Sequence, residues 1–470
     1  MAAKWTAKKA GGPASVVPLL LQSCISAWVF QFLFNHFVPD HNATAFRPPR
    51  KESSSCSASR AIDWLFSGYT RWDSQHFLHI ATNGYTFENN AAFFPLLPGL
   101  IRLCNKALGP LVSVLHVSDY WLSVVSGVLL TNVAFILSGI VLYKFVHFLD
   151  GRDQFCRLCV VLHCLSPATV FLHSVYSESL FTLLTYAGLD ALFRKRQPTV
   201  AALLFSLSVA TRSNGVTNIL FLFFYYFQDV FGCSISFRSL TYPFICALIR
   251  KGVSFISSAA FVLMPFLLYQ LFVYWRFCLN CPAQGLDNYS VFLAYGQEKG
   301  YSLLCQLDRL DWCHNLVPLS YGVIQKRYWN VGLFGYYKWR KLPCFLLSLP
   351  TLCLFCSVLF RKISLFGRNC RRVQSVLVLH SCFLVCYVYT CCNVEISTRL
   401  LFSSSPLLYW QAARIIDQNC RELSIHNDNL MKCILALWKC SSFPSLLVLS
   451  WFLAYAVGGI ALHCNFLPWT

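Results

Sequence analysis

Residues 119–145, DYWLSVVSGVLLTNVAFILSGIVLYKF, form an almost unbroken apolar run. It is longer than the about 20 residues that a helix needs to cross a bilayer. The rest of the chain is similar: 56% of its 470 residues are hydrophobic and only 12% are charged. Soluble domains carry about 25% charged residues because their surfaces face water. The sequence therefore predicts an all-α polytopic membrane protein and excludes soluble multidomain, disordered and coiled-coil classes.

Eleven apolar segments are candidates for membrane-spanning helices, and two of them are short. They are residues 14–37, 119–145, 157–174, 179–193, 199–211, 216–231, 253–275, 342–360, 373–392, 400–416 and 444–463. Short segments are tolerated where a helix lines a cavity inside the protein. We expect about 11 transmembrane helices in a single membrane domain that covers residues 1–470.

The basic residues set the expected orientation. Clusters of Lys and Arg lie before the first span and at 194–196, 250–251 and 361–372. The positive-inside rule assigns such clusters to the cytosol. The net charge of +19 then reflects orientation and not nucleic-acid binding. It follows that residues 1–13 are cytosolic, and that the two large loops, 38–118 and 276–341, are lumenal.

Two N-glycosylation sequons, at Asn42 and Asn288, fall in the expected lumenal loops. Most of the 24 cysteines lie inside apolar runs, where a free thiol behaves as a small hydrophobic group. The cysteines in polar loops are candidates for disulfides in an oxidising lumen. They are Cys56, Cys278, Cys281, Cys305 and Cys313.

The first lumenal loop contains the most informative stretch, residues 61–83, AIDWLFSGYTRWDSQHFLHIATN. Its apolar residues recur every three or four positions, which predicts an amphipathic helix in the membrane interface that ends at Gly84. On this helix Asp73 lies against aromatic residues, and partial desolvation of a carboxylate raises its basicity. Asp73 is therefore a candidate general base. The alternative is a surface carboxylate paired with Arg71 or His76.

Charged residues at the ends of other spans are further candidates. Glu178 either stabilises the N-terminus of the next helix or holds a sugar hydroxyl. Arg212 interrupts a long apolar run, and a charge at that depth is usually functional or paired. It either binds a phosphate or pairs with Glu178. Glu395 and Arg399 flank another boundary, and we expect them to pair with each other.

The second lumenal loop combines aromatic and cationic side chains around Trp329 and Asn330. Such a segment is typical of an interfacial aromatic belt, and the alternative is a platform that binds sugar and lipid. Metal binding has little support, because the C-x-x-C at 278–281 lacks a second pair of ligands and no Asp-x-Asp pair occurs. We therefore predict no metal and no other cofactor.

Several motifs, in order from about residue 60 to the end, resemble the PIG-V family of GPI mannosyltransferases. They are Trp72-Asp73-x-x-His76-Phe77, Ile80-Ala81-x-x-Gly84-Tyr85, Asn90-x-Ala92-Phe93-Phe94-Pro95, Leu165-Ser166-Pro167-Ala168, Tyr176-Ser177-Glu178-Ser179-Leu180-Phe181, Arg212-Ser213-Asn214-Gly215, Tyr328-Trp329-Asn330-Val331-Gly332 and His463-Cys464-Asn465-Phe466-Leu467-Pro468-Trp469-Thr470. No single motif would suffice, but together they are highly specific. The first 60 residues and the linkers 232–252 and 417–443 contribute little to the match.

The resemblance implies a GT-C-type helical bundle in the endoplasmic reticulum membrane, with the active site in its lumenal loops. Such enzymes take mannose from dolichyl-phosphate-mannose. This family adds the second mannose, in α-1,6 linkage, to the precursor of the GPI anchor. The implied partners are the lipid-linked donor and the GPI-precursor acceptor, and whether an accessory membrane subunit takes part stays open.

The resemblance also implies roles for individual residues. By analogy with GT-C enzymes, whose first lumenal loop carries the catalytic acidic residue, Asp73 is the general base of an inverting transfer. Arg212 and Arg399 are implied as partners of the donor phosphate. His76 either orients Asp73 or contacts the acceptor, and Glu178 holds a sugar hydroxyl.

Three other readings remain open on the sequence alone. A lipid or solute transporter would share the spans and the charge bias, although it usually shows repeats related by pseudo-symmetry, which are not visible here. Another dolichol-linked glycosyltransferase and a non-catalytic subunit of a membrane complex are the other two.

Overall fold

The computed structural model describes residues 12–50, 56–112, 116–231, 242–280, 290–304, 310–360, 368–420, 425 and 428–467. The α-helices within these ranges are α1 (Val17–Phe37), α2 (Ser57–Phe66), α3 (Ser74–Asn83), α4 (Leu96–Val112), α5 (Asp119–Asp150), α6 (Asp153–Cys164), α7 (Thr169–His173), α8 (Glu178–Leu189), α9 (Pro198–Thr211), α10 (Ile219–Phe231), α11 (Tyr242–Tyr274), α12 (Ser290–Lys299), α13 (Ser320–Trp329), α14 (Leu342–Phe360), α15 (Arg368–Cys391), α16 (Ser397–Ser404), α17 (Leu407–Asn419), α18 (Leu430–Cys440) and α19 (Phe443–Cys464). Short 3₁₀- or π-helical segments lie at Pro13–Val16, Ser67–Thr70, Glu88–Ala92, Asp190–Arg194, Ser213–Asn218, Trp275–Leu279, Asp311–His314, Trp339–Lys341 and Val394–Ile396. The described residues form no β-strand, so the predicted all-α class is confirmed.

Six of the described helical segments are long and apolar enough to cross a membrane. They are Pro13–Phe37, Asp119–Asp150, Phe244–Leu279, Trp339–Phe360, Arg372–Cys391 and Phe443–Cys464. The protein is therefore a multi-pass membrane protein. The other five expected spans correspond to shorter or broken helices, α6 with α7, α8, α9, α10, and α16 with α17. The count of about 11 stays a prediction.

The broken helix formed by α6 and α7 lies inside the protein, where its break is supported by polar side chains. Every residue from Phe155 to Cys164 in α6 is buried. At the break that follows, Ser166 Oγ accepts hydrogen bonds from the Tyr409 hydroxyl at 2.7 Å and from the Ala168 backbone N–H at 3.1 Å. Unpaired backbone groups are too costly to face lipid, so protein contacts permit this interruption.

The stretch 61–83 is divided between two helices where one was predicted. The backbone of Trp72 has φ +53°, a left-handed conformation that interrupts a helix, and it separates α2 from α3. Residues 74–81 of α3 are all buried. For the part that forms α3, the predicted amphipathic helix is wrong, because the protein covers both of its faces. Helix α2 keeps exposed residues, among them Trp64. The predicted end of the stretch is right: Gly84, at φ +75°, terminates α3.

The loop of residues 276–341 is held to the loop of residues 38–118 by a buried carboxylate. Glu88 is fully buried, and its oxygens accept hydrogen bonds from Trp312 Nε1 at 2.8 Å, the Tyr328 hydroxyl at 2.7 Å and Arg327 Nη1 at 2.9 Å. A buried carboxylate needs such charge-assisted partners to offset its desolvation. This cluster places α13 next to the segment that follows α3.

Two disulfides are present in the described part of the chain. Cys278–Cys313 joins the segment after α11 to the middle of the loop 276–341, and both cysteines were candidates from the sequence. Cys420–Cys440 was not anticipated, and it joins the end of α17 to the end of α18. Of the other three loop candidates, Cys56 lies within the described residues, whereas Cys281 and Cys305 lie outside them.

Candidate active site

Four charged side chains from distant parts of the chain meet at one place, which we call the charge cluster: Asp73, Arg399, Glu178 and Arg212. Arg399 Nη1 donates to Asp73 Oδ2 at 2.7 Å across 326 residues of sequence. Arg212 Nη1 lies 2.5 Å from Glu178 Oε1, and Arg399 Nε lies 3.7 Å from the same oxygen. Two carboxylates and two guanidinium groups therefore alternate in one network with no formal net charge.

Each member of the charge cluster lies at a helix end. Asp73 directly precedes α3, and Arg399 lies in the first turn of α16. Glu178 is the first residue of α8, and Arg212 follows the last residue of α9. The turn after Arg212 folds tightly back on α9, since a Cβ on Gly215 would come within 2.7 Å of the α9 backbone. Only glycine fits there, and this explains the motif that carries Arg212.

The orientation of Asp73 is fixed by its backbone neighbours. Trp72 adopts positive φ, which is uncommon for a bulky residue and is often found at functional sites. The backbone N–H of Asp73 donates to the Tyr176 hydroxyl at 3.1 Å. That hydroxyl also lies 3.1 Å from His463 Nε2 at the end of α19. Tyr176 and His463 thus position Asp73 without touching its carboxylate.

Asp73 is ionised at neutral pH. Burial alone would raise the pKa of its carboxyl, but the adjacent Arg399 guanidinium outweighs burial, through its charge and its hydrogen bond, and holds that pKa below the usual range. The side chain of Asp73 keeps 26% of its surface exposed, so it remains accessible to a substrate. An ionised, partly exposed carboxylate is the state in which an acidic side chain can accept a proton.

His76 lies one helical turn from Asp73, between two aromatic rings. Its imidazole stacks on Phe46 at 4.1 Å and on Phe93 at 4.2 Å between ring centroids. The side-chain amide of Asn90 lies 3.0 Å from His76 Nδ1 and donates to it. Burial lowers the pKa of His76 to about 3. His76 is therefore a neutral imidazole at physiological pH.

This burial predicts how protein stability depends on pH. In the unfolded chain His76 gains a proton below about pH 6.5, whereas in the folded protein it stays neutral down to about pH 3. Stability contributed by neutral His76 is thus present above pH 6.5 and falls on acidification by about 1.4 kcal/mol per pH unit. Between pH 7 and pH 4, we expect the difference in unfolding free energy between wild type and His76→Gln to shrink. The decrease should be about two to three times the change per pH unit, because about two to three pH units lie between pH 6.5 and pH 4. A constant difference in unfolding free energy over that interval would contradict the neutral assignment.

The partners predicted for Asp73 and Arg399 from neighbouring sequence are wrong. Arg71 turns away from Asp73 and its Nη2 lies 3.1 Å from Asp40 Oδ2. Glu395 does not pair with Arg399. Its Oε1 accepts from Lys341 Nζ at 3.0 Å and from the Tyr336 hydroxyl. Glu395 pairs with Lys341, and Arg399 pairs with Asp73 instead.

The structure shows the helix-end position expected for Glu178 and the pairing expected for Arg212. Glu178 occupies the first turn of α8, where a carboxylate is stabilised by the helix dipole, although Ser177 is the N-cap residue. The Glu178 carboxylate is fully buried and faces Arg212. Arg212 Nη1 also donates to Ser177 Oγ at 3.1 Å. The predicted Arg212–Glu178 pair is therefore present, inside the candidate site.

Trp329 and Asn330 lie at different distances from this site. The Trp329 ring lies 6.2 Å from His76 and 5.8 Å from Phe93, so it borders the aromatic stack beside the charge cluster. Asn330 is exposed, has φ +53° and donates its amide to the Gly335 carbonyl at 3.2 Å. Those contacts are typical of a turn that ends α13.

Three contributors to the site were not among the residues predicted from the sequence. Tyr176 and His463 belong to motifs that carry the family resemblance, so motif membership alone pointed to them. Phe46 lies in a stretch with no motif, and its contact with His76 follows only from the fold. Asn42 is exposed as a sequon requires, whereas Asn288 lies outside the described residues. Within the described ranges, no three His, Cys, Asp or Glu side chains are grouped as a metal site would need.

Comparison with known proteins identifies the family of the chain. The family model described as "Mannosyltransferase (PIG-V)" matches residues 16–470. The chain belongs to this family. It is accordingly a glycosyltransferase, and this sets aside the transporter reading.

Relatives with printed names extend over nearly the whole chain. The "GPI alpha-1,6-mannosyltransferase 2" of Cricetulus griseus is 33% identical over 95% of this chain and 97% of its own length. The human protein of the same name is 32% identical with the same coverage, and "GPI mannosyltransferase 2" of Drosophila melanogaster is 28% identical over 97% and 99%. Among solved structures, the oligosaccharyltransferase of Archaeoglobus fulgidus matches with a TM-score of 0.40 and 10% identity, covering 92% of this chain and 53% of that one.

Proposed function

We propose that this PIG-V family member is a GPI α-1,6-mannosyltransferase that transfers the second mannose from dolichyl-phosphate-mannose to the GPI precursor. The names of its relatives support the acceptor and the linkage. The observation that carries the proposal is the Asp73–Arg399 pair at 2.7 Å, in which a proton acceptor and a phosphate-binding group stand side by side. The alternative is another dolichol-linked glycosyltransferase, and the transfer assay described below distinguishes the two functions.

In the proposed reaction, the acceptor hydroxyl oxygen attacks the anomeric carbon of mannose from the face opposite the phosphate. The new carbon–oxygen bond forms as the bond from that carbon to the phosphate oxygen breaks, so configuration inverts from β to α. Asp73 takes the hydroxyl proton. Dolichyl phosphate leaves as an anion, so no general acid is required, and Arg399 stabilises its developing charge.

Substrate binding would also tune the base. In the free enzyme Arg399 lowers the pKa of Asp73 and makes it a weak base. A donor phosphate that engages Arg399 adds negative charge beside Asp73 and removes part of this stabilisation. The pKa of Asp73 then rises towards the value needed to accept a proton. The same contact therefore binds the donor and activates the base.

Glu178 and Arg212 have complementary roles in this scheme. Glu178 lies between the two guanidinium groups and keeps both oriented. Without it, two like charges would repel each other at short range. Arg212, with 17% of its side chain exposed, is the second phosphate partner. Because the Glu178 carboxylate is fully buried, its role here is to hold the two arginines, while Trp329 and His76 flank the acceptor.

We place this site at the lumenal face of the endoplasmic reticulum membrane. Glu178 begins α8 and Arg212 follows α9, so both lie at one end of this helical hairpin. The basic residues 194–196 lie at the opposite end, which the positive-inside rule assigns to the cytosol. The donor and acceptor are both lipids, so they reach the site from the membrane. An accessory membrane subunit belongs to the proposal as a further partner.

Glycosylation at Asn42 tests this orientation. Asn42 is exposed between α1 and α2, so the oligosaccharyltransferase of the lumen should reach it. One finding opposes the assignment: Cys420–Cys440 lies on the side assigned to the cytosol, where disulfides are rare. We expect glycosidase treatment to increase the electrophoretic mobility of wild type, and Asn42→Gln to remove that shift. A tag at residue 42 that is modified only from the cytosol would invert the orientation.

The reaction is proposed to need no metal, because Arg399 and Arg212 supply the positive charge that a divalent ion would provide. Transfer should therefore persist in excess EDTA at the rate measured without it. Loss of transfer that is restored by Mg²⁺ or Mn²⁺ would contradict this part of the proposal.

Transfer by the purified protein tests the function. The assay supplies dolichyl-phosphate-[³H]mannose and the mono-mannosyl GPI precursor in detergent or vesicles. We expect one labelled mannose to be added, in a linkage cleaved by an α-1,6-specific mannosidase. Transfer to a different dolichol-linked glycan, with none to the GPI precursor, would favour the alternative. Absence of transfer to either acceptor would contradict the proposal.

A further inference from the structure

A cavity separate from the charge cluster opens beside the C-terminal end of α3. Its volume is about 420 Å³. It is bounded by the end of α3, the start of α4 and the end of α11, and it contains two arginines, Arg102 and Arg276. No acidic residue lines it among the residues that the structure describes. The cavity is therefore positively charged.

The two arginines differ in how they are held. Arg102 donates from Nε to the Ala81 carbonyl at 3.0 Å and from Nη2 to the Ile80 carbonyl at 3.4 Å, so it is fixed against the end of α3. Arg276 is half-buried and has no ion pair or hydrogen bond with any described residue. A fixed and an uncompensated guanidinium on one cavity form a site for an oxyanion, above all a phosphate.

The cavity lies at the level of the membrane surface. Arg276 follows α11 at the end of the candidate span Phe244–Leu279. Trp275 also lines the cavity and is 49% exposed, as is typical of aromatic side chains at the membrane interface. The phosphate of a phospholipid headgroup lies at this depth, so the ligand is a lipid phosphodiester and not a soluble nucleotide.

Helix α3 connects this cavity to the charge cluster. Asp73 precedes its first residue, and Asn83 and Gly84 line the cavity at its other end. Ten residues of helix span about 15 Å. In a mono-mannosyl GPI precursor, the accepting mannose is joined through glucosamine to inositol, and the inositol carries the phosphodiester. Three rings therefore separate the reacting hydroxyl from the phosphate, and they fit a span of this size.

We propose that Arg276 and Arg102 bind the phosphodiester of the acceptor lipid, so that α3 sets the distance between the membrane anchor and the accepting hydroxyl. This inference rests on the proposed function and assigns the acceptor subsite. Arg276 acts in binding, far from the reacting atoms. It is therefore a specificity-determining residue, and its loss should affect KM for the lipid acceptor and leave kcat unchanged.

The first test replaces Arg276 with Gln in the full chain, with Arg340→Gln as the matched control. Arg340 is exposed in the same lumenal loop and does not line the cavity. We expect Arg276→Gln to raise KM for the phosphatidylinositol-based acceptor about tenfold, which corresponds to about 1.4 kcal/mol. KM for a synthetic mannosyl-glucosaminyl-inositol without the phosphodiester should not change, and neither should KM for the donor.

The second test fills the cavity without removing charge. Gly99 lines the cavity within α4, and a Cβ built there meets no atom within 4 Å. Gly99→Leu should therefore fold, since leucine favours a helix over glycine. It should also raise KM for the lipid acceptor. Gly252→Leu is its control, because Gly252 is also helical and open but lies near the other end of α11.

The outcomes separate this inference from the proposed function. If wild type transfers mannose and Arg276→Gln leaves KM for the lipid acceptor unchanged, the subsite is wrong while the function stands. A rise in KM for the donor instead would assign the cavity to dolichyl phosphate and overturn the inference. An equal rise in KM for the phosphate-free acceptor would also overturn the inference. If wild type transfers no mannose, the proposed function itself fails.

Discussion

Asp73→Asn is expected to lower kcat for mannosyl transfer by about 10²–10⁴-fold, the usual contribution of a general base. The amide has nearly the same shape as the carboxylate but cannot accept the hydroxyl proton. KM for both lipids should change little, because binding relies mainly on the arginines and the aromatic border of the site. Steady-state kinetics on purified protein measures this effect, and thermal unfolding establishes that the variant is folded.

Asp63→Asn is the matched control for this substitution. Asp63 is exposed in α2 of the same loop, and it is ten positions before Asp73 in the sequence. We expect Asp63→Asn to keep wild-type kcat. If a folded Asp73→Asn variant also kept wild-type kcat, the general base would have to be another group.

Arg399→Gln is expected to have the second-largest effect. Removing one group that stabilises developing negative charge typically costs about 10²–10³ in kcat. The substitution also leaves the Asp73 carboxylate without its partner, and breaking such a pair costs about 3–5 kcal/mol of stability when it is well buried. The side chains of Arg399 and Asp73 are 17% and 26% exposed, so we expect the lower end of that range.

The double variant Asp73→Asn/Arg399→Gln separates the two effects. With both charges removed, most of the lost thermal stability should return, because neither group is left as an uncompensated charge. Transfer should stay at the level of Asp73→Asn. Recovery of transfer along with stability would show that Arg399 serves the fold and not the chemistry. Arg399→Lys, which keeps the charge but loses the planar fork, should retain partial activity.

The fold class was predictable from composition, whereas the interior of the bundle was not. A 12% charged fraction is enough to indicate a membrane protein. The periodicity around Asp73 is compatible with one long helix, but a left-handed residue at Trp72 divides it. Such a conformation leaves no signature in the hydrophobic pattern, because long-range contacts impose it, here the hydrogen bond from Asp73 to Tyr176.

The candidate site, too, was predictable from the sequence only in part. Asp73, Glu178 and Arg212 stand out in the sequence as charges next to apolar runs, and the structure brings them together. The partner predicted for Arg399 was Glu395, four positions away, and that prediction is wrong. The fold instead pairs Arg399 with a residue 326 positions distant. Proximity in sequence is a good guide to pairs within one helix and a poor one at helix ends.

A structure of the Asp73→Asn variant with dolichyl-phosphate-mannose bound would test the central claim most directly. The account predicts a phosphate oxygen within about 2.7–2.9 Å of an Arg399 nitrogen, the distance of a charge-assisted hydrogen bond. It also predicts that the anomeric carbon of mannose faces the side chain at position 73 across a space for the acceptor hydroxyl. A donor whose phosphate lies beside Arg276, with its mannose remote from position 73, would contradict the account.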